Sequence, residues 1–313
     1  MSSSDRVKYF LVEEATPGVT PASAAFEALR ITGESLKSNY EYDQSKELRA
    51  DRTEPEQIII AANTSGNLNI ELLTDAHHRM LAAVCGQNAW TGTTTKTLKN
   101  GVAGKTYSIL KQFSDLTDVN HLFKGVVINS FNVNIQKKAI VTGAFGVMGR
   151  NMVNGAIGTI LSGTPTYAAA SVSDPLNGSS HITALKMNDV AMTTGIDSAS
   201  FSIVNNYRSE ERLGNLNPTG HTQGRIVVTG SMDLYFKTDE EYNYYASGTP
   251  FSWEAAFRDN DGDDISFLFD RCKFEDMEVV AGGTNQDIIA KGKWRATYDP
   301  TNDRLFQITW VNN

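Results

Sequence analysis

Hydrophobic and polar residues alternate with a period of two along much of this chain, which is the pattern of half-buried β-strands. A clear case is residues 66–75, Gly-Asn-Leu-Asn-Ile-Glu-Leu-Leu-Thr-Asp, and residues 230–239 repeat it as Gly-Ser-Met-Asp-Leu-Tyr-Phe-Lys-Thr-Asp. Glycine, threonine and aspartate recur at the same spacing, and three apolar residues alternate in phase between them. Both stretches predict a strand that leads directly into a helix, and they indicate one structural module present twice.

Two stretches have the capping residues and the apolar face of an amphipathic helix. The first is predicted over residues 74–85, with Thr-Asp as its N-cap and Gly86 in the position that ends it. In the second, Thr238 and Glu241 form a capping box, and Gly248 ends the helix. Each predicted helix therefore follows one copy of the repeated stretch.

The elements around each copy follow one order, strand–strand–strand–helix–strand–strand–strand. The offset between matching residues falls from 164 at Asp75 and Asp239 to 146 at Phe123 and Phe269, because the second half lacks the loop 91–106. The matched segments are 29–33 with 185–189, 107–113 with 252–257, 123–135 with 269–280, and 141–145 with 288–294.

This order predicts a mainly β fold in which two β-sandwich or barrel modules, each with one flanking α-helix, form a tandem duplication. Residues 26–154 are the first predicted module and residues 182–313 the second. The segment 155–181 is rich in Gly, Ser, Thr, Pro and Ala and is predicted to link them. Residues 1–25 contain two prolines and a glycine in a short span, which predicts an extended N-terminal arm.

Composition and charge exclude several classes of function. With 40% hydrophobic and 20% charged residues, the 313-residue chain is ordinary for a globular protein with two cores. A net charge of −8 argues against a dedicated nucleic-acid binder but suits a surface that DNA slides past. The absence of a long apolar run predicts no membrane span and synthesis in a cytosol. Cys85 and Cys272 are predicted to be buried free thiols.

Candidate catalytic and metal sites fail on spacing. Residues 101–106 resemble a phosphate loop, but Lys99 stands where the first glycine is required. Residues 259–264 resemble a calcium loop that lacks carboxylates at its first and twelfth ligand positions, so a tight Asp-Gly hairpin turn is favoured. His77 and His78 are adjacent and would diverge by about 100° on a helix. We therefore predict no catalytic residues, no cofactor site, no metal site and no enzyme activity.

Two kinds of polar pattern remain as candidate functional surfaces. In the strand 123–135, one face is apolar and the other continues as a polar series, Ser130, Asn132, Asn134 and Gln136. Each half also has a dense charged cluster, which is either a solvated turn or a site of inter-subunit ion pairs. The clusters consist of Glu47, Arg49, Asp51 and Arg52 in the first half and Arg208, Glu210, Glu211 and Arg212 in the second.

Several motifs together resemble one known family, the major tail tube protein of long-tailed (siphovirus-type) bacterial viruses. Residues 12–21, Val-Glu-Glu-Ala-Thr-Pro-Gly-Val-Thr-Pro, are similar to its N-terminal arm. Residues 45–52, Ser-Lys-Glu-Leu-Arg-Ala-Asp-Arg, followed by Gly66-x-Leu-x-Ile-Glu-Leu, are similar to its best-marked stretch. The resemblance is clearest over residues 10–86, and the order of the modules extends it through the chain.

The resemblance implies a structural virion protein that forms rings. Sheets of neighbouring modules would join into a barrel around a lumen, and stacked rings would form the tail tube that conducts DNA during ejection. The implied partners are further copies of this chain, the tape-measure protein in the lumen, the tail terminator, the baseplate or distal tail proteins, and DNA in transit. Synthesis in the host cytoplasm and a final location in the virion tail follow.

Two modules per chain predict a stoichiometry. If the ring keeps six module positions, three chains complete it with pseudo-sixfold symmetry, and a ring of six chains is the alternative. The polar series 130–136 is predicted to face the lumen, because a strongly cationic lumen would hold DNA phosphates. The basic residues Lys291, Lys293 and Arg295 fit such a lumen less well. The N-terminal arm is predicted to clasp a neighbouring ring.

Two other functions stay open at this stage. A β-sandwich binding module, such as a virion adhesin or a carbohydrate-binding pair, would use tryptophans as stacking residues, although Trp253 and Trp294 lie in strand patterns typical of a core. A related tail component, such as a terminator or baseplate ring, would form one ring and stop.

Overall fold

The computed structural model of the protein describes residues 3–192 and 195–312. Strands account for most of the regular structure in these ranges, and the helices are short, which confirms the prediction of a mainly β chain. In the described part of the chain, no helix has the length and apolar character needed to cross a bilayer.

The first half begins with a 3-10 turn, Ser4–Arg6, and contains the helices α1 (His78–Val84) and α2 (Ile157–Ile160). Its strands are β1 (Val7–Glu14), β2 (Ala25–Leu29), β3 (Gly33–Glu34), β4 (Lys37–Gln44), β5 (Gln57–Glu71), β6 (Thr95–Lys99), β7 (Thr106–Phe113), β8 (Asn120–Gln136), β9 (Thr142–Gly149), β10 (Asn151–Asn154) and β11 (Thr166–Ala168).

The second half contains the helix α3 (Glu240–Ser247). Its strands are β12 (Ile182–Met187), β13 (Val190–Ala191), β14 (Ile196–Val204), β15 (Arg208–Glu210), β16 (Gly220–Thr222), β17 (Val227–Tyr235), β18 (Phe251–Arg258), β19 (Asp264–Ala281), β20 (Ile288–Ala296) and β21 (Gln307–Val311).

The two halves have the same order of strand pairing. In the first half the antiparallel order is β4–β5–β9–β8–β7–β1–β2. In the second half it is β14–β17–β20–β19–β18–β12–β13. Even the register shifts correspond, since one lies between Ile128 and Ser130 of β8 and another between Phe274 and Asp276 of β19.

The halves are joined by strand pairing and not only by the connecting segment. β14 pairs with the end of β8, and β21 pairs with β6, so 19 of the described strands form one sheet. One large apolar core extends through both halves and contains Trp253 and Trp294, as predicted from their strand patterns, and a second, smaller cluster around Phe10 and Phe26 lies in the first half. Cys85 and Cys272 lie in the large core as free thiols, which confirms that prediction.

The repeated glycines lie where a neighbouring strand approaches closely. A Cβ added to Gly66 would lie 2.5 Å from the Leu36 Cα. A Cβ added to Gly230 would lie 2.2 Å from a Trp294 ring carbon and 2.6 Å from the Ser200 carbonyl oxygen. Both positions therefore require glycine for the same reason, which is close packing across the sheet.

The N-terminal segment differs from the predicted arm. Residues 7–14 form β1, an interior strand that pairs with β2 and β7, and Phe10, Leu11 and Val12 are buried. Three consecutive buried residues remove the alternation that marks a half-buried strand, and the nearby prolines suggested an extended arm instead. The prediction of a free arm is therefore wrong for residues 7–14, and a contact of residues 15–25 with a neighbouring ring stays a prediction. β12 pairs with β18 as β1 pairs with β7, so the match of 29–33 with 185–189 was wrong.

The two predicted helices, α1 and α3, begin later than predicted. α1 starts at His78, after His77 in a left-handed conformation, and Thr74 donates its hydroxyl hydrogen bond to the Asp259 carboxylate instead of capping the helix. α3 starts at Glu240 without a side-chain capping bond, so the predicted capping box was wrong. The C-terminal signals are confirmed, because Gly86 and Gly248 both have positive φ.

The segment 155–181 packs against the first half. It contains α2 and β11, and β11 pairs in parallel with β2. Leu176 is fully buried, donates its backbone N–H to the Leu72 carbonyl and accepts from the Val141 N–H. The segment connects the halves while contributing to the core, and the module boundaries at 154 and 182 stay predictions.

Acid is expected to destabilise the chain through the residues at the start of α1. Burial lowers the pKa of both His77 and His78 to about 4. As the pH falls from 6.5 towards 4, both histidines become protonated in the unfolded chain while they stay neutral in the folded one. The free energy of unfolding therefore decreases across that window by up to about 3 kcal/mol per histidine. Urea denaturation at several pH values measures this slope. His78→Phe should make it shallower, and an unchanged slope in that variant would contradict the assignment.

Candidate functional site

The polar series of β8 occupies one face of the sheet. Asn132, Asn134 and Gln136 are exposed and Ser130 is half-buried, while the alternating Phe131, Val133 and Ile135 are buried in the core. The strand has neighbours on both sides, since β9 pairs with residues 127–134 and β14 with residues 130–136. The series is therefore a surface in the middle of the sheet and not a free edge.

The same polar face extends onto β14, where sequence reasoning missed it. Ser198, Ser200 and Ser202 stand opposite Gln136, Asn134 and Asn132, respectively. The alternation Ser-Ala-Ser-Phe-Ser over residues 198–202 carried this signal, because it places serine on every second position of a strand. The centre of the face is consequently rich in hydroxyl and amide groups, and none of the paired residues from 130 to 136 and from 198 to 204 is charged.

The basic residues of β20 are matched by acids on its neighbour β19. The Lys293 Nζ lies 3.3 Å from the Asp276 carboxylate. Arg295 forms an ion pair with Glu275. Lys291 stands opposite Glu278 in the register. The basic stripe noted in the sequence is therefore part of a charge-balanced pair of strands.

Two strand edges that flank this face have no strand partner in the described ranges. β14 covers the edge of β8 at residues 130–136, beyond the end of β7. The matching edge of β19, at residues 273–281 beyond the end of β18, pairs with no described strand. β4 pairs only with β5, so its outer edge is equally open.

Apolar side chains near the open β19 edge are more exposed than their counterparts in the first half. Val133 is 1% exposed, whereas its counterpart Val279, which pairs with β20 at the same place, is 37% exposed. Val141 precedes β9 and is fully buried, whereas Ile288 at the start of β20 is 43% exposed. The first half thus covers apolar positions that the second half leaves in solvent.

The hairpin formed by β4 and β5 extends beyond the sheet and also exposes apolar side chains. Cross-strand neighbours near its tip include Tyr42 and Ile59, and the exposed large apolar residues are Tyr40, Tyr42, Ile58, Ile59 and Ile60. Exposed apolar clusters on a sheet edge are typical of protein–protein interfaces. The open edge of β4 therefore continues into an apolar hairpin.

The predicted charged clusters lie in the loops that follow β4 and β14. Arg49 forms ion pairs with Glu47 at 3.5 Å and with Asp51 at 3.2 Å. This contact with Arg49 lowers the pKa of the Asp51 carboxyl. Arg52 follows in the same loop, with positive φ. Within the chain Glu47, Arg49 and Asp51 are exposed and paired locally, and inter-subunit pairing of the cluster stays a prediction.

In the second half, the cluster is spread over β15 and the turn that follows it. Arg208 and Glu210 are in β15, Glu211 and Arg212 come next, and Arg212 lies 4.0 Å from Glu210. β15 pairs with β16, and this loop packs against the first half, where the Ala62 N–H donates to the Leu216 carbonyl. The two clusters therefore occupy corresponding loops in different surroundings.

The polar face lies between two strand edges that are open to a further strand. In the described ranges, no three His, Cys, Asp or Glu side chains lie close enough to hold a metal ion. A polar sheet face between open strand edges is typical of structural proteins that associate through their sheets.

The family comparison agrees with this class. The family model for phage tail tube proteins matches residues 4–299, which is nearly the whole chain. The chain belongs to the phage tail tube protein family, which is a structural family of the bacteriophage tail and not a family of enzymes. The comparison with curated proteins gives no match.

Proposed function

We propose that this chain assembles into closed rings that stack into the tail tube and conduct viral DNA during ejection. One observation carries the proposal: the junction between β8 and β14 joins the two halves inside the chain, and the corresponding edges of β19 and β4 have no partner within it. A head-to-tail contact that repeats such a junction closes into a ring when the rotation per subunit allows it.

The proposal includes a tandem duplication of one tube module. The common pairing order, the matching register shifts in β8 and β19, and the two glycines required by close packing support it. Unrelated β-sandwiches can share an architecture. A common order of strand pairing together with a register shift at the same place is stronger support for duplication than a shared architecture alone. The units so related are the predicted modules 26–154 and 182–313, with β1 added to the first.

Geometry favours three chains per ring. The polar face uses eight strands of each chain, β4, β5, β9, β8, β14, β17, β20 and β19, so three chains supply 24 strands and six chains 48. At a spacing of about 4.8 Å and a tilt of roughly 40°, these barrels have backbone radii of about 24 Å and about 48 Å. Side chains then leave a channel of roughly 40 Å in the smaller ring, which suits one duplex, and of roughly 90 Å in the larger one.

The polar face lines this channel. Asn132, Asn134 and the serines of β14 offer hydrogen bonds without fixed charge, and the basic residues of β20 are balanced by β19. DNA phosphates would therefore meet few unpaired cations that must be released during passage. Before ejection the same channel holds the tape-measure protein, and the ends of the tube contact the terminator and the distal tail or baseplate proteins.

A mass measurement tests the stoichiometry. Isolated rings studied by native mass spectrometry should have the mass of three chains of 34.3 kDa each. A mass corresponding to six chains would contradict the 24-strand barrel while leaving a tube function intact. A protein that stays monomeric at every concentration would contradict the ring itself.

The tryptophans do not favour the binding-module alternative. Trp253 and Trp294 are buried in the core, and Trp90 and Trp310 pack against His78. None of the four is arranged as an open stacking platform in the described structure. Retention of the monomer on a glycan column would support the binding-module alternative. A terminator or baseplate component would instead form one ring that does not stack.

A further inference from the structure

The junction inside the chain has a defined register that serves as a template. β14 runs antiparallel to the end of β8, with Phe201 opposite Val133 and Ser202 opposite Asn132. If the contact between chains repeats this junction, its register follows from the residues of β4 and β19 that occupy the same positions. The inference rests on the proposed ring.

The counterpart of Ser202 in the first half is Lys37. Ser202 pairs with Thr229, which immediately precedes the repeated Gly230 in β17. Lys37 pairs with Ser65, which immediately precedes Gly66 in β5. Leu36 and Phe201 are consequently matched as well: Leu36 is buried against Gly66, and Phe201 is buried directly opposite Gly230 in the register.

The counterpart of Asn132 in the second half is Glu278. Val133 pairs with Gly143, and Val279 pairs with Ala290. Gly143 in turn pairs with Ile70, and Ala290 pairs with Leu234. Ile70 and Leu234 each follow the repeated glycine by four residues, so Val279 matches Val133 and Glu278 matches Asn132.

We propose that β4 of one copy pairs antiparallel with the free edge of β19 of a second copy, with Lys37 directly opposite Glu278. Both side chains are exposed in the single chain and lie on the polar face. Opposite charges directly across an antiparallel pair stabilise it, and a like-charged pair would disfavour it. The charge pair replaces the serine–asparagine pair of the junction inside the chain.

This contact also accounts for the exposure of Val279 in the single chain. Val279 and Ile288 are exposed at positions where the first half has the buried Val133 and Val141. In the first half, β14 lies beside Val133 and covers it. Val141 lies beside Leu176 and donates its N–H to the Leu176 carbonyl. A second copy seated on the β19 edge would cover Val279 in the same way. The occupant of this edge is therefore another copy of this chain.

Disulfide trapping tests the register. In the double variant Lys37→Cys with Glu278→Cys, oxidation of assembled rings should convert most of the protein into covalent oligomers that end at a closed trimer. Directly opposed residues in an antiparallel pair are close enough for a disulfide after small adjustments. Cys85 and Cys272 do not compete because both are buried.

The matched control is Lys37→Cys with Lys273→Cys. Lys273 is exposed on the same strand but lies five residues, roughly 16 Å, from Glu278, which is beyond disulfide reach. Cross-linking in the control but not in the 37/278 variant would overturn the register while the ring proposal stands. Rings that form normally but cross-link in neither variant would also overturn the register and leave the ring proposal standing.

A measurement on the unmodified protein covers the case in which the cysteine variants fail to fold or assemble. Backbone amides of residues 37–39 and 276–281 should exchange with deuterium at least about tenfold more slowly in rings than in dissociated chains, since new strand pairing protects them. Unchanged exchange at both segments in intact rings would overturn the inference. If no oligomer forms under any condition, the proposed function and the inference fall together.

Discussion

Phage particles whose tube protein carries Asn132→Lys and Asn134→Lys are expected to eject their DNA more slowly than wild-type particles. Both asparagines are exposed at the centre of the polar face, with uncharged neighbours on β14. Each ring of three chains would gain six cations that bind phosphates during passage, and stacked rings multiply the effect. We expect the ejection rate to fall by on the order of tenfold or more at low salt.

Salt and a neutral variant provide the controls. Raising the ionic strength should restore much of the rate, because phosphate contacts weaken steeply with salt. Asn132→Gln with Asn134→Gln changes side-chain size without adding charge and should eject at nearly the wild-type rate. Wild-type ejection by the lysine variant, in particles with normal tails, would contradict the placement of this face in the lumen.

The largest effect on stability is expected for Trp253→Ala. Trp253 is fully buried, and its ring lies 5.7 Å from that of Phe269 and 5.4 Å from that of Trp294. Removing a buried indole leaves a cavity that the surrounding strands cannot fill, and such substitutions cost about 3–5 kcal/mol of unfolding free energy. Chemical denaturation of the dissociated chain measures this loss.

Tyr298→Ala is the control for the loss of an aromatic ring. Tyr298 is 55% exposed, so the expected change is within about 0.5 kcal/mol. Equal losses in the two variants would show that the aromatic core around Trp253 does not dominate the stability of the second half.

Local patterns in the sequence were sufficient for the elements that have one buried face. The alternation around Gly66 and Gly230 located β5 and β17, and the alternation after Val127 located the polar face of β8. The turn over residues 259–264 was also predicted, since the Asp259 carboxylate accepts N–H bonds from Asp261, Gly262 and Asp263. In these places, neighbouring residues determine the structure almost alone.

Elements that depend on distant residues were not predictable in this way. β1 is buried on both sides, so it has no alternation to detect. Thr74 has the sequence of an N-cap, but its hydroxyl bonds to Asp259, 185 residues away. The balance of charge on β20 depends on its register with β19, which places Lys293 beside Asp276 and Arg295 beside Glu275. Long-range pairing decided each of these features.

The candidate site was predicted in part for the same reason. Ser130, Asn132, Asn134 and Gln136 were found because they alternate within one strand, whereas the serines of β14 belong to the same face only through a pairing between the two halves. The open edges of β4 and β19 are a property of the whole sheet. Single-strand patterns cannot reveal which edge lacks a neighbour.

Electron cryo-microscopy of the purified protein after assembly tests the central claim most directly. We predict hollow tubes of stacked rings, each with three chains and a barrel of 24 strands, in which β4 of one chain lies beside β19 of the next. The polar face of β8 and β14 should line a channel wide enough for one DNA duplex. Single-chain particles at every concentration, or tubes in which this face points outward, would contradict the account.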